Sequence, residues 1–386
     1  MSSGVMPMST TALDKKADLA GPGIGNYDEL ETVLPRDYKT LLDPRETQRA
    51  ITEAKRYIEE HLCKELNLMR VEVPLIVDAE SGINDFLDRD GSRGPVQFHI
   101  SNDHDVHPID GQVVQAATKW KRFALKQFGM KVGEGIVTDM RAVRKDYFLD
   151  HDHSAYVDQW DWERVISPGE RNLVFLTRTV EKIWKVIKGA ETHLHDLFPA
   201  LRNRYANLPE TLDFLHAEEI LERYPDMPRK ARENAILRDH PAVFIYGIGW
   251  TLKDGYPHEM RAADYDDWVT ETRSRDGRVM HGLNGDILVW NPVTQRRHEL
   301  SSMGIRVNAE TLRQQLEVTG QLDFLRYPYH KGIANGDLPL SIGGGIGQSR
   351  TVMSLLKKAH LGEVSVTVWP KVLKEMCARK NIHVLE

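Results

Sequence analysis

Apolar positions recur with helical period in a few long stretches of the chain and alternate with polar ones in several shorter stretches. Ala50, Ile51, Ala54, Tyr57, Ile58, His61 and Leu62 predict a helix ending near Leu66, with Asp43 as N-cap and Pro44 in its first turn. Leu68 to Val77 reads as extended, with Pro74 marking an edge or a bulge. A loop over 78–94, holding Gly82, Asp85, Asp88 and Gly91, leads to a short strand at 96–101. Trp120, Leu125 and Phe128 give the helix Gln115 to Phe128 its apolar stripe. Its basic run of Lys119, Lys121, Arg122 and Lys126 is of the kind that usually faces solvent.

The strand Ile136 to Arg144 pairs with Tyr156 to Glu163 in a hairpin whose long tip carries Arg144, Lys145 and His151-Asp152-His153. With no further His, Cys or Glu at ligand spacing, the two histidines read as structural or incidental rather than metal-binding. Helices follow at 171–198 and at 217–238, the latter interrupted by Pro225 and Pro228. Ala242 to Trp250, thinned by Gly247 and Gly249, reads as a strand, as do Leu283 to Asn291 and His298 to Val307. A helix over Ala309 to Leu316 precedes the short strand Ser341-Ile342, a glycine-rich turn and a helix over Ser349 to Lys358. Hairpins rather than crossover helices join the strands. The pattern predicts an α/β (α+β) fold with a central, mostly antiparallel sheet flanked by helices.

The length of 386 residues and 41% hydrophobic content support one large or two moderate domains with a real core. Residues 1–40, rich in Ser, Thr, Gly and Pro, read as a flexible N-terminal extension, and 41–386 as a single catalytic domain. Cys63 and Cys377 provide no disulfide framework, which makes a reducing compartment the default and a cytoplasmic location the expectation. A net charge of −6 argues against a chain that grips nucleic acid through phosphates. No apolar run is long enough to span a bilayer, and the first residues lack a signal core.

The most unusual stretch is Tyr156-Val157-Asp158-Gln159-Trp160-Asp161-Trp162-Glu163. On a strand, Gln159, Asp161 and Glu163 share one face at roughly 7 Å spacing, and Asp158, Trp160 and Trp162 share the other. Such a face is either the wall of a cleft for a small polar ligand or a surface whose acids pair with Lys or Arg. Gly343-Gly344-Gly345-Ile346-Gly347-Gln348-Ser349-Arg350 lets backbone approach a planar or phosphorylated ligand. It is neither a Walker loop nor a dinucleotide fingerprint. Arg350 can stack on a base or meet a phosphate. Glu299 and Ser301 share a strand face, and Asp286 lies on the strand before. The two carboxylates suit Mg²⁺ or, equally, a salt bridge to Arg306.

Together these segments resemble the aspartate–ammonia ligases, ammonia-dependent asparagine synthetases with the catalytic fold of class II aminoacyl-tRNA synthetases. Leu66 to Val77 resembles the dimer-forming first motif of that superfamily, Arg144 in its hairpin the second, and Gly343 to Arg350 the third. More specific to the family are Lys119-Trp120-Lys121-Arg122, Tyr156 to Glu163, Arg261 with Asp264-Tyr265-Asp266-Asp267-Trp268, Leu283 to Pro292 and Glu299 to Arg306. The resemblance covers about 45–370. Gln115-Ala116-Ala117 departs from the family's His-Ser-Leu, which removes a hydroxyl expected to touch the amino acid. The N-terminal extension and the Arg273 to Met280 insertion look like additions.

The resemblance implies that ATP activates the β-carboxylate of aspartate as an acyl-adenylate, which ammonia then attacks. It implies catalytic roles for Asp85, Arg144 and Gln159. Lys119, Lys121, Gln159, Asp161, Asp266, Ser301 and Arg306 would bind the amino acid. Arg144, Arg261, Asp286, Glu299, Ser302, Gly345 and Arg350 would bind ATP, with Mg²⁺ on Asp286 and Glu299. A homodimer is implied, with aspartate, ammonia and ATP as its partners. The rival readings are a class II tRNA synthetase paralogue, for which no anticodon-binding module or basic face is apparent, and a non-catalytic amino-acid sensor.

Overall fold

The computed structural model of the chain describes residues 25–85, 93–100, 109–274 and 276–385. Helix α1 (Tyr27–Val33) precedes α2 (Pro44–Leu66), which starts where the sequence places its cap. Asp43 accepts the Glu46 N–H at 2.7 Å and Glu46 reaches back to the Asp43 N–H, a reciprocal cap with Pro44 in the first turn. Then come β1 (Leu68–Arg70), β2 (Ile76–Asp78), β3 (Gln97–Ile100), β4 (Ile109–Val113), α3 (Thr118–Gln127), β5 (Gly135–Val143), β6 (Tyr156–Val165) and α4 (Leu173–Leu197). Next are β7 (Asp213–His216), α5 (Ala217–Arg223), α6 (Arg229–Asp239), β8 (Ala242–Tyr246), β9 (Glu271–Arg273) and β10 (Val279–His281). The chain continues with β11 (Asn284–Asn291), β12 (Arg296–Ile305), α7 (Ala309–Thr319), α8 (Pro328–Ala334), β13 (Ser341–Gly347), α9 (Gln348–Leu355) and α10 (Lys371–Arg379).

Eight strands form one sheet in the order β1-β5-β6-β13-β12-β11-β8-β7. Its outermost joints, β1 to β5 and β7 to β8, are parallel, and every joint between them is antiparallel. The expected mixed, mostly antiparallel sheet is therefore present. A smaller antiparallel sheet holds β2-β4-β3, and β9 and β10 pair with each other apart from the main sheet.

The alternation along β6 sorts as predicted. Trp160 and Trp162, 1% and 0% exposed, enter the main core with Ile58 and Leu62 of α2, Ile183 and Trp184 of α4, and Val352 of α9. Burying an indole removes about 150–250 Å² from water, on the order of 4–6 kcal/mol of transfer free energy each. This anchoring fixes which way β6 faces, and so turns Gln159, Asp161 and Glu163 to the opposite side.

Three expectations need correction. The supposed extension does not run to residue 40: Leu30, Leu34 and Tyr38 are buried in the main core, and the Tyr38 hydroxyl donates to Glu363 at 2.9 Å. Residues 1–24 lie outside the described residues. Of the basic run of α3, Lys126 alone meets solvent. Lys119, Lys121 and Arg122 are at most 1% exposed: the two lysines pair with Asp264 and Asp161, and Arg122 donates to the Pro339 and Val307 carbonyls. The glycine run is not a turn but strand β13, paired on both sides. Side chains of neighbouring strands fill the space its own residues leave: a Cβ on Gly343 would lie 2.0 Å from Glu163 Oε2, and one on Gly345 2.5 Å from Gln159 Oε1.

Candidate active site

The face of the sheet opposite the tryptophans carries a continuous strip of opposed charges. At one end Lys119 pairs with Asp264 at 2.8 Å and donates to the Asn84 carbonyl at 3.1 Å. Asp264 also takes His330 Nε2 at 3.0 Å; burial would raise this carboxyl, but Lys119 and His330 hold it well below the usual range. Asp85 sits beside this pair, 2% exposed, and accepts the Thr118 N–H at 3.0 Å through Oδ2 while Oδ1 has no partner among the described residues. Burial raises its pKa against the pull of Lys119.

Lys121 comes next, sealed from solvent. It donates to Asp161 and to the Trp162 carbonyl at 3.0 Å, with Glu163 at 3.9 Å. Asp161 Oδ2 is buried and unpartnered. Glu163 receives Arg306 through Nε and Nη2 at 2.9–3.1 Å, and the Ser341 hydroxyl donates to it at 2.6 Å. Burial pushes Glu163 up, but Arg306 and Lys121 outweigh it and its pKa lies below the ordinary value. Arg306 also binds Asp266, whose carboxyl burial raises despite that arginine.

Towards the far edge Arg261 grips both oxygens of Asp286, and Ser302 hydrogen-bonds the same carboxylate. Glu299 lies 3.3 Å from Arg297 and 3.5 Å from Arg350 in the first turn of α9. Burial, together with Glu299 and Glu259, pushes Asp286 up to about 7 against the pull of Arg261. In the middle, over bare Gly345, the Gln159 amide bonds to no protein group among the described residues. Arg144, at the end of β5, is half-buried. Its Nε donates to the Gln115 carbonyl at 3.2 Å, and its terminal nitrogens have no protein partner among the described residues.

The predicted residues thus converge, with one exception. Strand β12 carries a bulge opposite Ile287 and Leu288, so Ser301 pairs with Ile346 on the tryptophan side and donates to the Gly345 carbonyl at 3.0 Å. Ser302, not Ser301, joins Asp286. Lys121 and Arg306 also hold the wall of the site together, their donors meeting protein acids and carbonyls. Sequence reading left Glu163, Asn84, Asp264 and His330 without roles. The first was visible in the β6 alternation and Asp264 in the motif after Arg261, whereas nothing in the sequence links His330 to Asp264. A separate open groove of about 690 Å³ at the start of α4, lined by Arg164, Glu170, Phe175, Arg178 and Lys182, contains none of these residues. It also offers no buried unpartnered polar atom.

This point separates Gly343 from Gly345. Gly343→Ala presses on Glu163, which Arg306 and Ser341 pin in place, and is expected to lower stability. Gly345→Ala presses on the far end of the Gln159 side chain, and is expected to leave the denaturation midpoint nearly unchanged while lowering kcat at least about tenfold. Equal loss of stability in both variants, by denaturant titration, would contradict that division.

Architecture and site together define the class of protein. The chain superposes on the asparaginyl-tRNA synthetase of Pyrococcus horikoshii complexed with asparaginyl-adenylate, with a TM-score of 0.59 and 14% identity, covering 83% of this chain and 68% of that one. For the Entamoeba histolytica asparaginyl-tRNA synthetase in complex with asparaginyl-adenylate the TM-score is 0.58 at 13% identity, over 83% of this chain and 66%, about two thirds, of that one. The fold is the catalytic fold of class II aminoacyl-tRNA synthetases. At the sequence level the relatives are narrower. Aspartate–ammonia ligases of Bacillus cereus (strain B4264) and Bacillus mycoides (strain KBAB4) are each 46% identical over 347 residues, 90% of this chain and 99% of theirs. The aspartate-ammonia ligase family model matches residues 45–381, and the chain belongs to that family.

Proposed function

We propose that the chain makes asparagine from aspartate and ammonia at the expense of ATP, through a β-aspartyl-adenylate, releasing AMP and pyrophosphate. The observation that carries this reading is the strip itself: an anionic end with buried, unpartnered oxygens on Asp85 and Asp161, and an arginine end at Arg350, with Gln159 between them. Buried carboxylate oxygens without partners suit the ammonium of an amino acid. A carboxyl raised by burial, as Asp85 is, also accepts a proton more readily from the incoming ammonium. The Arg144 fork and the Gln159 amide, which meet no protein group among the described residues, would hold the reacting carboxylate and stabilise the charge that develops on it and on the α-phosphate. Lys119 and Asp266 shape the amino-acid end, and Arg261, Ser302 and Arg350 the nucleotide end. Arg350 would lie against the base.

Asp286 and Glu299 fit Mg²⁺. They supply hard oxygen donors, and Asp286 is pushed up to about 7 by burial and by two neighbouring acids, a repulsion that a dication relieves. Held there, Mg²⁺ would neutralise phosphate charge. Free ammonia is the proposed nitrogen donor, since neither cysteine offers a thiolate: burial raises the half-buried Cys63 and pushes Cys377 up to about 12. Both thiols are free, which supports a reducing, cytoplasmic setting. A homodimer is supported by the apolar side chains that β2-β4-β3 leaves uncovered, with Ile76, Phe98, Ile100 and Ile109 between 37% and 48% exposed.

Given aspartate, ATP, Mg²⁺ and ammonium, the protein is expected to release AMP and pyrophosphate in step with asparagine, and glutamine is expected not to replace ammonium. ADP and phosphate as products would exclude the adenylate. A requirement for tRNA instead of ammonium would restore the synthetase reading.

A further inference from the structure

The connection from β5 to β6 carries Asp150-His151-Asp152-His153, which packs against Arg350 at the arginine end of the strip. Arg350 Nε donates to the Asp152 carbonyl at 3.1 Å, and His298 Nε2 lies 2.9 Å from the Arg350 carbonyl. Asp150, His151 and Asp152 are 3–5% exposed. His153 Nδ1 stands 3.0 Å from Asp150 Oδ1 and 2.8 Å from Asp152 Oδ1, and one donor atom from each of these three residues lies within 4.8 Å of the others. The N–H groups of Asp152 and His153 both donate to Asp150 Oδ1 at 2.9 Å, which fixes the turn and holds the donors in place.

A second observation points to a cation. His151 Nδ1 is fully buried without a hydrogen-bond partner and faces the same two carboxylates at 3.7 and 3.8 Å. His298, donating through Nε2 to a carbonyl, turns its bare Nδ1 lone pair in the neutral ring towards Asp152 Oδ2 at 3.4 Å. Acceptors facing acceptors repel unless positive charge lies between them. A proton on His153 satisfies the His153 contacts alone: the His298 Nδ1 lone pair still faces Asp152 Oδ2, and His151 Nδ1 still has no hydrogen-bond partner among the described residues.

We propose that Asp150, Asp152 and His153, with His151 completing the set, bind one divalent transition cation of the zinc or manganese kind. A cation with bonds of about 2.0–2.2 Å holds its ligand atoms about 3.0–3.5 Å apart, close to the separations found here. Imidazole mixed with carboxylate selects such ions over calcium or magnesium. The site shares no ligand with Asp286 and Glu299 and does not rest on the substrate reading. It reverses the incidental role that the sequence gave the two histidines, because spacing along the chain did not count Asp150 and Asp152 as ligands.

The full chain is stripped with chelator, exposed without nucleotide to Zn²⁺ or Mn²⁺, passed through gel filtration and assayed for metal by elemental analysis. One equivalent per chain and a raised Tm are expected, and Co²⁺ in the same site should give visible absorption bands. Asp152→Asn and, as a second and gentler change, His151→Gln are each expected to lose the equivalent while retaining native circular dichroism, whereas Asp286→Asn keeps it. No retained metal and no Tm shift in the wild type would overturn the proposal. So would retention in both cluster variants, or loss confined to Asp286→Asn.

Discussion

Arg144→Ala lowers kcat for pyrophosphate release by about 10²–10³-fold, the size of a lost charge contact made in the transition state, and leaves the denaturation midpoint close to wild type. Both halves follow from how the side chain is held. Among the described residues Nε alone is engaged, by the Gln115 carbonyl at 3.2 Å, so truncation removes one neutral-acceptor contact worth about 1 kcal/mol. The terminal fork meets no described protein group, unlike Lys121, whose ammonium is shared among Asp161 and two carbonyls. A carboxylate attacking a phosphate brings two anions together, and an available guanidinium in a desolvated cleft relieves that repulsion most where charge is most concentrated. Arg144→Lys should recover little, because an ammonium cannot reproduce the two-pronged contact. Steady-state kinetics with ATP and aspartate varied separately check this. A rise in KM at unchanged kcat would mean that Arg144 holds the ground state as tightly as the transition state, and the role assigned to it would fail.

What the sequence disclosed depended on whether the signal was local. The facing of β6 is a local alternation reinforced by two indoles, and the start of α2 is a cap completed within four residues; both were legible. The glycine run was misread because glycine says only that space is wanted. Here the space is taken by Glu163 and Gln159 from the next strand, a relation that exists only once β13 pairs with β6. The basic face of α3 was misread for the complementary reason: Lys119 and Lys121 look solvated until Asp264 and Asp161, some 145 and 40 positions away, close over them. The turn of Ser301 away from the face of Glu299 and Asp286 rests on a single bulge, which no residue type announces. Candidate residues were thus legible as chemistry, whereas their division into free groups and wall-building groups was set by long-range pairing.

That division is tested most sharply at Arg306. Arg306→Leu strips Glu163 and Asp266 of their shared partner while keeping both buried, and should destabilise the fold by about 3–5 kcal/mol, the cost of leaving an uncompensated charge inside. The pH dependence carries the more discriminating sign. In the wild type Glu163 titrates below its ordinary value, because Arg306 and Lys121 outweigh burial; its contribution is present above the unfolded pKa and is lost as pH falls through the folded one. Without Arg306, Lys121 at 3.9 Å and the Ser341 hydroxyl alone oppose burial among the described residues, and Asp266, already raised by burial, rises further. Groups raised in the folded state favour it at low pH and cease to do so as pH climbs through their folded values. Denaturant titrations of Arg306→Leu between pH 5 and 8 should therefore show stability falling with pH relative to wild type, and adding Glu163→Gln should restore part of it and flatten the slope. Parallel pH profiles for the single variant and the wild type would mean that Glu163 is balanced by something other than Arg306, and the wall of the site would have to be drawn differently.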